Sequence, residues 1–249
     1  MAHAKTQAAV TRTGSAMGRY QDVMVGSRSL RRTLYYEWCC WLAPLPGAAG
    51  LWLRKIFWPW LFGSCGPGVL FGANMIIRHP HRVHLGRNVV LSEQVVLDGR
   101  HDSELRALVV EDDVILATQV QLSCKSGTIV IGPDTGIGTQ TVIQSTNGCP
   151  VRIGQDVIVG PQCYIVAGGS YRMERDDIPI RDQGIKPDGG CILEDNVWLG
   201  GCVTVLGGVT MATGSVAAAG AVVTGSVEAN MICAGVPAKA LRNRTSPNT

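Results

Sequence analysis

Between Leu193 and Glu228 an apolar residue returns at every sixth position. The segment divides into Leu193-Glu-Asp-Asn-Val197-Trp, Leu199-Gly-Gly-Cys-Val203-Thr, Val205-Leu-Gly-Gly-Val209-Thr, Met211-Ala-Thr-Gly-Ser215-Val, Ala217-Ala-Ala-Gly-Ala221-Val and Val223-Thr-Gly-Ser-Val227-Glu. An aliphatic, Met or Ala residue opens each unit, and Val, Ser or Ala fills the fifth place. A period of six predicts a parallel β-helix. One hexad makes a short strand and a tight corner, and three hexads close a triangular coil. The opening side chains then point inward and stack on their copies one coil away, at about 4.8 Å. A sandwich of alternating strands would instead show period two, with turns every ~8–12 residues.

Further hexads open at Leu85, Leu91 and Leu97; at Val110, Leu116 and Leu122; at Ile131, Ile137 and Ile143; and at Ile153, Val159 and Ile165. The repeat begins near Phe71. Extra residues enter after Leu97, Leu122, Ile143 and Ile165, always behind a third hexad, so all excursions should leave from one corner. The insertion over 166–192 is long, and long loops on rigid solenoids are where function concentrates. It is charged, yet holds Ile178-Pro179-Ile180 at its centre, which predicts packing on a neighbouring subunit.

Upstream the period changes. Leu30, Leu34, Trp38 and Trp41 fall on one face of a helix, and Pro44 and Pro46 stop it. A second aromatic piece, Leu51 to Phe62, carries Arg54-Lys55. The charge-free run from Trp38 to Leu53 covers 16 residues and is broken by Pro44, Pro46 and Gly47, too short for the ~20 residues of a membrane span. Two readings follow. The segment 28–62 lies in a membrane interface with Trp at headgroup depth, or it caps the open end of the β-helix. The expected organisation is a poorly ordered tail over 1–27, an aromatic helical segment over 28–66, the β-helix over 67–234 with its excursion at 166–192, and a C-terminal cap and tail over 235–249.

Composition agrees with an aliphatic solenoid: 31 Gly and only 3 Phe. Nine Cys, an odd number without Cys-x-x-Cys spacing, predict reduced thiols in the cytoplasm. Met1 to Val10 shows no apolar signal-peptide run. Residues 1–60 hold eight Lys or Arg against Asp22 and Glu37, a surplus of +6 in a chain of net +3. That asymmetry predicts an anionic partner near the N-terminus, such as the inner face of a membrane; a nucleic-acid partner is not expected.

Residues 70–244 resemble the hexapeptide-repeat acyltransferases, a left-handed β-helix family, and in particular the O-acetyltransferases of polysaccharide biosynthesis. The resemblance rests on Asp177-Ile-Pro-Ile180 with Gln183-Gly184, on Val197-Trp-Leu-Gly200, on the hexad run, and on Ala234-Gly-Val-Pro-Ala-Lys239. The left hand enters through this family, since periodicity does not fix it. The resemblance implies homotrimers that bind acetyl-CoA, or another acyl-CoA, between subunits, without a metal. Gly200, Gly201, Ala217, Ala219 and Gly220 match the small-residue corner that receives the pantetheine arm. Lys239 and Arg242 suit the coenzyme phosphates.

In that family a His behind the Gly-Gly that opens the long loop acts as general base. Here the place reads Gly168-Gly169-Ser170-Tyr171-Arg172, and no His follows His101. The catalytic candidates are therefore His101, with Asp98 or Asp102 to orient its ring, and Tyr171. Asp98, Arg172 and Arg175 are the expected acceptor-binding groups; His79, His81 and His84 are further His candidates. The expected function is O-acyl transfer to a sugar hydroxyl, on a saccharide or a lipid-linked glycan. The alternative is a non-catalytic trimer that binds coenzyme A or a glycan. A γ-type carbonic anhydrase is excluded because three late His ligands are missing.

Overall fold

The computed structural model describes residues 15–245. The hexads form three parallel sheets around a triangular core, in seven complete coils spanning 64–78, 83–98, 108–125, 129–146, 151–167, 191–205 and 210–223. An eighth turn, Met231–Ala234, joins the second sheet and pairs antiparallel with Lys239–Asn243 at its edge.

The register follows the six-residue phase. Leu85, Val110, Ile131, Ile153, Leu193 and Met211 stack in the first sheet. Phe71, Leu91, Leu116, Ile137, Val159, Leu199 and Ala217 stack in the second. Ile77, Leu97, Leu122, Ile143, Ile165, Val205 and Val223 stack in the third. Every one of these side chains is buried. Full burial of each large aliphatic contributes roughly 1.5–3 kcal/mol, so the core is a sum of many small equal layers.

The corners are built by the fourth residue of the hexad. Asn88, Asp113, Asp134, Asp156 and Asn196 adopt positive φ at one corner, and Gln94, Gln119, Gln140, Gln162 and Cys202 at the next. Short polar side chains tolerate this left-handed region by hydrogen-bonding locally. The four Gln amides form a ladder: Gln119 donates to Gln94 at 2.6 Å, Gln140 to Gln119 at 2.8 Å and Gln162 to Gln140 at 3.1 Å. All excursions leave from the third corner, as the phase breaks predict.

Among the described residues three α-helices precede the coils: α1 (Ala16–Tyr20), α2 (Leu30–Leu42) and α3 (Gly47–Phe57). The tail expected over 1–27 therefore needs correction over its described part. Ser15 caps α1 by accepting from Gly18 N–H at 3.0 Å, Gln21 donates to Thr33 at 2.9 Å, and Val25 is buried. Residues 1–14 lie outside the described residues.

The helices close the end of the core. Trp58 is buried over Phe71, with ring centroids 5.4 Å apart, and donates its Nε1–H to the Cys39 carbonyl at 3.1 Å. Phe62 stacks on Phe71 at 5.7 Å. Arg54, expected among interfacial charges, is only 2% exposed. It donates to the carbonyls of Leu42, Ala43, Leu45 and Phe71. A helix end leaves carbonyls without partners, and a cation there meets both those carbonyls and the helix dipole.

The apolar face of α2 behaves otherwise. Thr33, Tyr36, Cys39 and Leu42 are buried, whereas Leu30, Leu34, Trp38 and Trp41 are exposed, Trp41 by 78%. Trp52 and Trp60 of the following segment are exposed by 63% and 81%. The aromatic segment thus caps the core with one set of side chains and turns another set outward. Among the described residues no helix is long and apolar enough to cross a membrane.

Candidate active site

The second-to-third-sheet corner is where small residues accumulate. A Cβ added at Gly138 would lie 2.6 Å from Gly160 backbone, one at Gly160 would lie 2.7 Å from Gly200, and one at Gly200 would lie 2.6 Å from the Ala219 nitrogen. These contacts leave no room for a side chain at the second place of the hexad, so the backbone is bare there, beside the Gln ladder at the fourth place. At its C-terminal end Ala218 N–H donates to Cys233 at 2.9 Å, Val222 N–H to Gly235 at 3.0 Å, and Ala238 N–H to Val222 at 2.8 Å. Lys239 pairs with Ala234, which places this residue at the same end of the sheet. Arg242 pairs with Ile232, towards the other end. Gly200, Gly201, Ala219, Gly220 and Lys239 therefore share one edge, with Arg242 on the same terminal strand; Ala217, expected beside them, is instead the fully buried core residue of its hexad.

The excursion starts as a short antiparallel ribbon. Lys186 N–H donates to Ser170 at 2.8 Å and Arg172 N–H to Gly184 at 3.0 Å. Its neck is closed by Asp188, which accepts from Gly168 N–H at 2.7 Å and Gly190 N–H at 3.0 Å. Thr146 and Asn147 of the preceding coil also donate to the Gly168 carbonyl, at 2.7 and 3.0 Å. Its far end is tied by Gln183, whose Oε1 accepts from Arg175 N–H at 3.0 Å and whose Nε2 donates to the Arg175 and Ile178 carbonyls. Asp188 and its two glycines were not singled out by sequence. Asp-Gly-Gly is a turn signature, since Gly189 and Gly190 take positive φ.

Tyr171 stands on the ribbon, 53% exposed. Arg172 is exposed, and Arg175 forms a bidentate ion pair with Asp177. The guanidinium of Arg175, expected to bind an acceptor, is thus already engaged by a carboxylate.

His101 lies in the 99–107 excursion. Its Nδ1 accepts from the N–H groups of Ser103 at 3.1 Å and Glu104 at 2.8 Å. An accepting Nδ1 puts the proton of the neutral ring on Nε2. A His that is to take a proton through Nε2 needs the opposite tautomer. Asp98, expected to orient this ring or to bind the acceptor, is 1% exposed and engaged by Arg100 at 2.6 Å and Arg78 at 3.4 Å. Asp102 accepts from Ser126 at 2.8 Å. His101 and Tyr171 leave the same corner three coils apart, about 14 Å by strand spacing.

His79, His81 and His84 sit against coil 1 and the helices. Burial lowers the pKa of all three; for His81, burial with His79, Arg82 and Arg32 nearby brings it to about 4. Among the described residues no cluster of His, Cys, Asp and Glu suits a metal ion.

No family model matches the chain. It is 32% identical over 141 residues to a Mycobacterium tuberculosis protein named as an acetyltransferase, Rv3034c, covering 57% of this chain and 46% of that one. It is 34% identical over 98 residues to WbbJ of Escherichia coli K12, named as a lipopolysaccharide biosynthesis O-acetyl transferase, covering 37% of this chain and 50% of that one. The chain spans about half the length of these relatives. In structure it resembles a variant of AntD, an N-acyltransferase from Bacillus cereus crystallised with dTDP-4-amino-4,6-dideoxyglucose and coenzyme A. That likeness has a TM-score of 0.50 and 21% identity, covers 78% of this chain and 88% of that one, and is a likeness of fold.

Proposed function

We propose that this protein, which resembles the hexapeptide-repeat acyltransferases in sequence and fold, is an acyl-CoA-dependent O-acyltransferase that moves an acetyl group to a sugar hydroxyl of a polysaccharide or lipid-linked glycan. The observation that carries the reading is the bare backbone edge at Gly200, stacked against Ala219 and ending beside Lys239. Such an edge offers N–H and C=O groups to the amides of a pantetheine arm, with a cation at the end for phosphate. The AntD complex and the acetyltransferase names of the relatives support it.

In the reaction the acceptor oxygen attacks the thioester carbonyl. A C–O bond forms, the C–S bond breaks, and the hydroxyl proton passes through a base to the departing coenzyme thiolate. Tyr171, on the excursion, and His101, after a change of tautomer, are the candidate bases. Arg172 and Arg175 face the acceptor. The enzyme works as a homotrimer in which Ile178-Pro179-Ile180 meets the neighbour; Ile180 is 55% exposed in the single chain. It sits on the inner face of the cytoplasmic membrane through residues 28–62.

The occupied Nδ1 of His101 favours a second reading, a non-catalytic coenzyme A- or glycan-binding trimer. One experiment separates the two: acetyl transfer from labelled acetyl-CoA to a panel of cell-envelope saccharides, beside calorimetric binding of coenzyme A. Binding with transfer supports the enzyme, and binding without transfer supports the scaffold. Absence of binding overturns both coenzyme readings.

A further inference from the structure

A cavity of about 630 Å3 opens between α2, α3 and the first coil, away from the acyl-transfer edge. Its volume falls within the roughly 300–1,000 Å3 of small-molecule sites. Tyr35, Phe57, Leu61 and Phe62 give it an apolar lining. The Tyr35 hydroxyl is turned to the Phe57 carbonyl at 2.6 Å, which leaves its ring to the cavity. Ile56 and Trp60 stand at the exposed side, 42% and 81% accessible.

Arg31 and Arg32 line the same cavity from α2 and are exposed. Neither has an acidic partner among the described residues. Apolar walls with two exposed guanidinium groups among the lining complement a molecule with a hydrocarbon tail and an anionic head. Beside it, Leu30, Leu34, Trp38 and Trp41 present an uncovered apolar stripe, which suits a bilayer surface.

We propose that this cavity takes one acyl chain of an anionic phospholipid drawn from a bilayer, with the phosphate between Arg31 and Arg32. The proposal rests on the interfacial contact of residues 28–62 and adds to it a stoichiometric site. Arginine suits the head because its planar fork binds phosphate oxygens in pairs. The aromatic cap then has a second use: the side chains that close the core also build the wall of a lipid site.

The test uses the full-length protein with vesicles of phosphatidylcholine alone, or with one quarter phosphatidylglycerol. Flotation should require phosphatidylglycerol, and Arg31→Ala with Arg32→Ala should weaken it roughly tenfold or more. Native mass spectrometry after passage over the vesicles should show one retained phosphatidylglycerol per chain. Ile56→Trp, at an exposed position that a larger ring can occupy without unfolding, should abolish that retained lipid while flotation persists. Inorganic phosphate at millimolar concentration should not displace the lipid. Equal flotation on both vesicles, retained lipid unchanged in Ile56→Trp, or displacement by free phosphate would each overturn the site. Flotation on neither vesicle overturns the interfacial contact as well, while coenzyme A binding tests the acyltransferase reading separately.

Discussion

The carboxylate of Asp188 accepts from the N–H of Gly168 at 2.7 Å and so joins the two ends of the long excursion. Its other oxygen holds Gly190. Asp188→Ala leaves two N–H groups without their acceptor and frees the neck of the loop. Acetyl transfer should fall at least tenfold, with the melting temperature within a few degrees of wild type, because the stacked coils do not depend on this neck. Transfer assays beside calorimetry check this; an unchanged rate removes the loop from the reaction.

Catalysis and coenzyme binding should separate by position. Removing a general base lowers rate about 10²–10⁴-fold. His101→Ala or Tyr171→Phe should lower kcat by that factor at constant coenzyme affinity. Lys239→Ala should weaken coenzyme A binding roughly tenfold, the loss of one charge-assisted hydrogen bond, and Arg242→Ala should act in the same direction. Full activity in both base variants leaves neither residue as the base.

Gly200→Val should damage binding and stability together. The new Cβ would meet the Ala219 nitrogen at 2.6 Å, where backbone cannot yield cheaply. Overpacking of this kind costs about 1–3 kcal/mol. A variant that binds coenzyme A as wild type does would show that the edge is not the pantetheine site.

Ser215 offers the opposite outcome. It is fully buried in the fifth place of its hexad, and its Oγ has no hydrogen-bond partner among the described residues. Ser215→Ala removes a stranded hydroxyl and keeps the small volume that Ala221 fills in the next hexad. The change should stabilise the protein by about 1 kcal/mol, read as a raised thermal or denaturant midpoint.

Stability should also depend on His81. Its folded pKa of about 4 lies below the ordinary 6.5 because the ring is buried near His79, Arg82 and Arg32. As pH falls, the unfolded chain takes up the proton first, so stability is lost between about pH 6.5 and 4. Above that window the group contributes no pH dependence. His81→Gln should flatten the melting-temperature profile in this interval relative to wild type.

The sequence made the solenoid legible because its period is enforced at each layer. Leu85 and Met211 lie far apart in the chain yet occupy one column, and both reveal it by phase alone. Cap and outward stripe could not be separated in advance. Trp58 and Trp60 are two residues apart and chemically identical, yet one is buried and the other exposed, a difference set by how α3 leans on Phe71. Arg54 beside Lys55 read as a surface charge because orphan carbonyls at a helix end have no sequence signature. The bare edge at Gly200 was visible as a run of small residues. The surroundings of His101 were not, since a tautomer is fixed by backbone N–H groups that any residue supplies.

The single corner from which every excursion departs has a consequence for how this chain tolerates change in length. A residue inserted within a hexad would move every later side chain off its column, turning buried aliphatics towards solvent and exposed ones into the core. A residue inserted between the third strand of one coil and the first of the next alters nothing beyond the loop itself. The interval between Ala167 and Cys191 has absorbed most of the added length, yet Ile165 and Val205 still stack. Length and sequence can therefore vary at this one corner while the frame of stacked coils stays fixed.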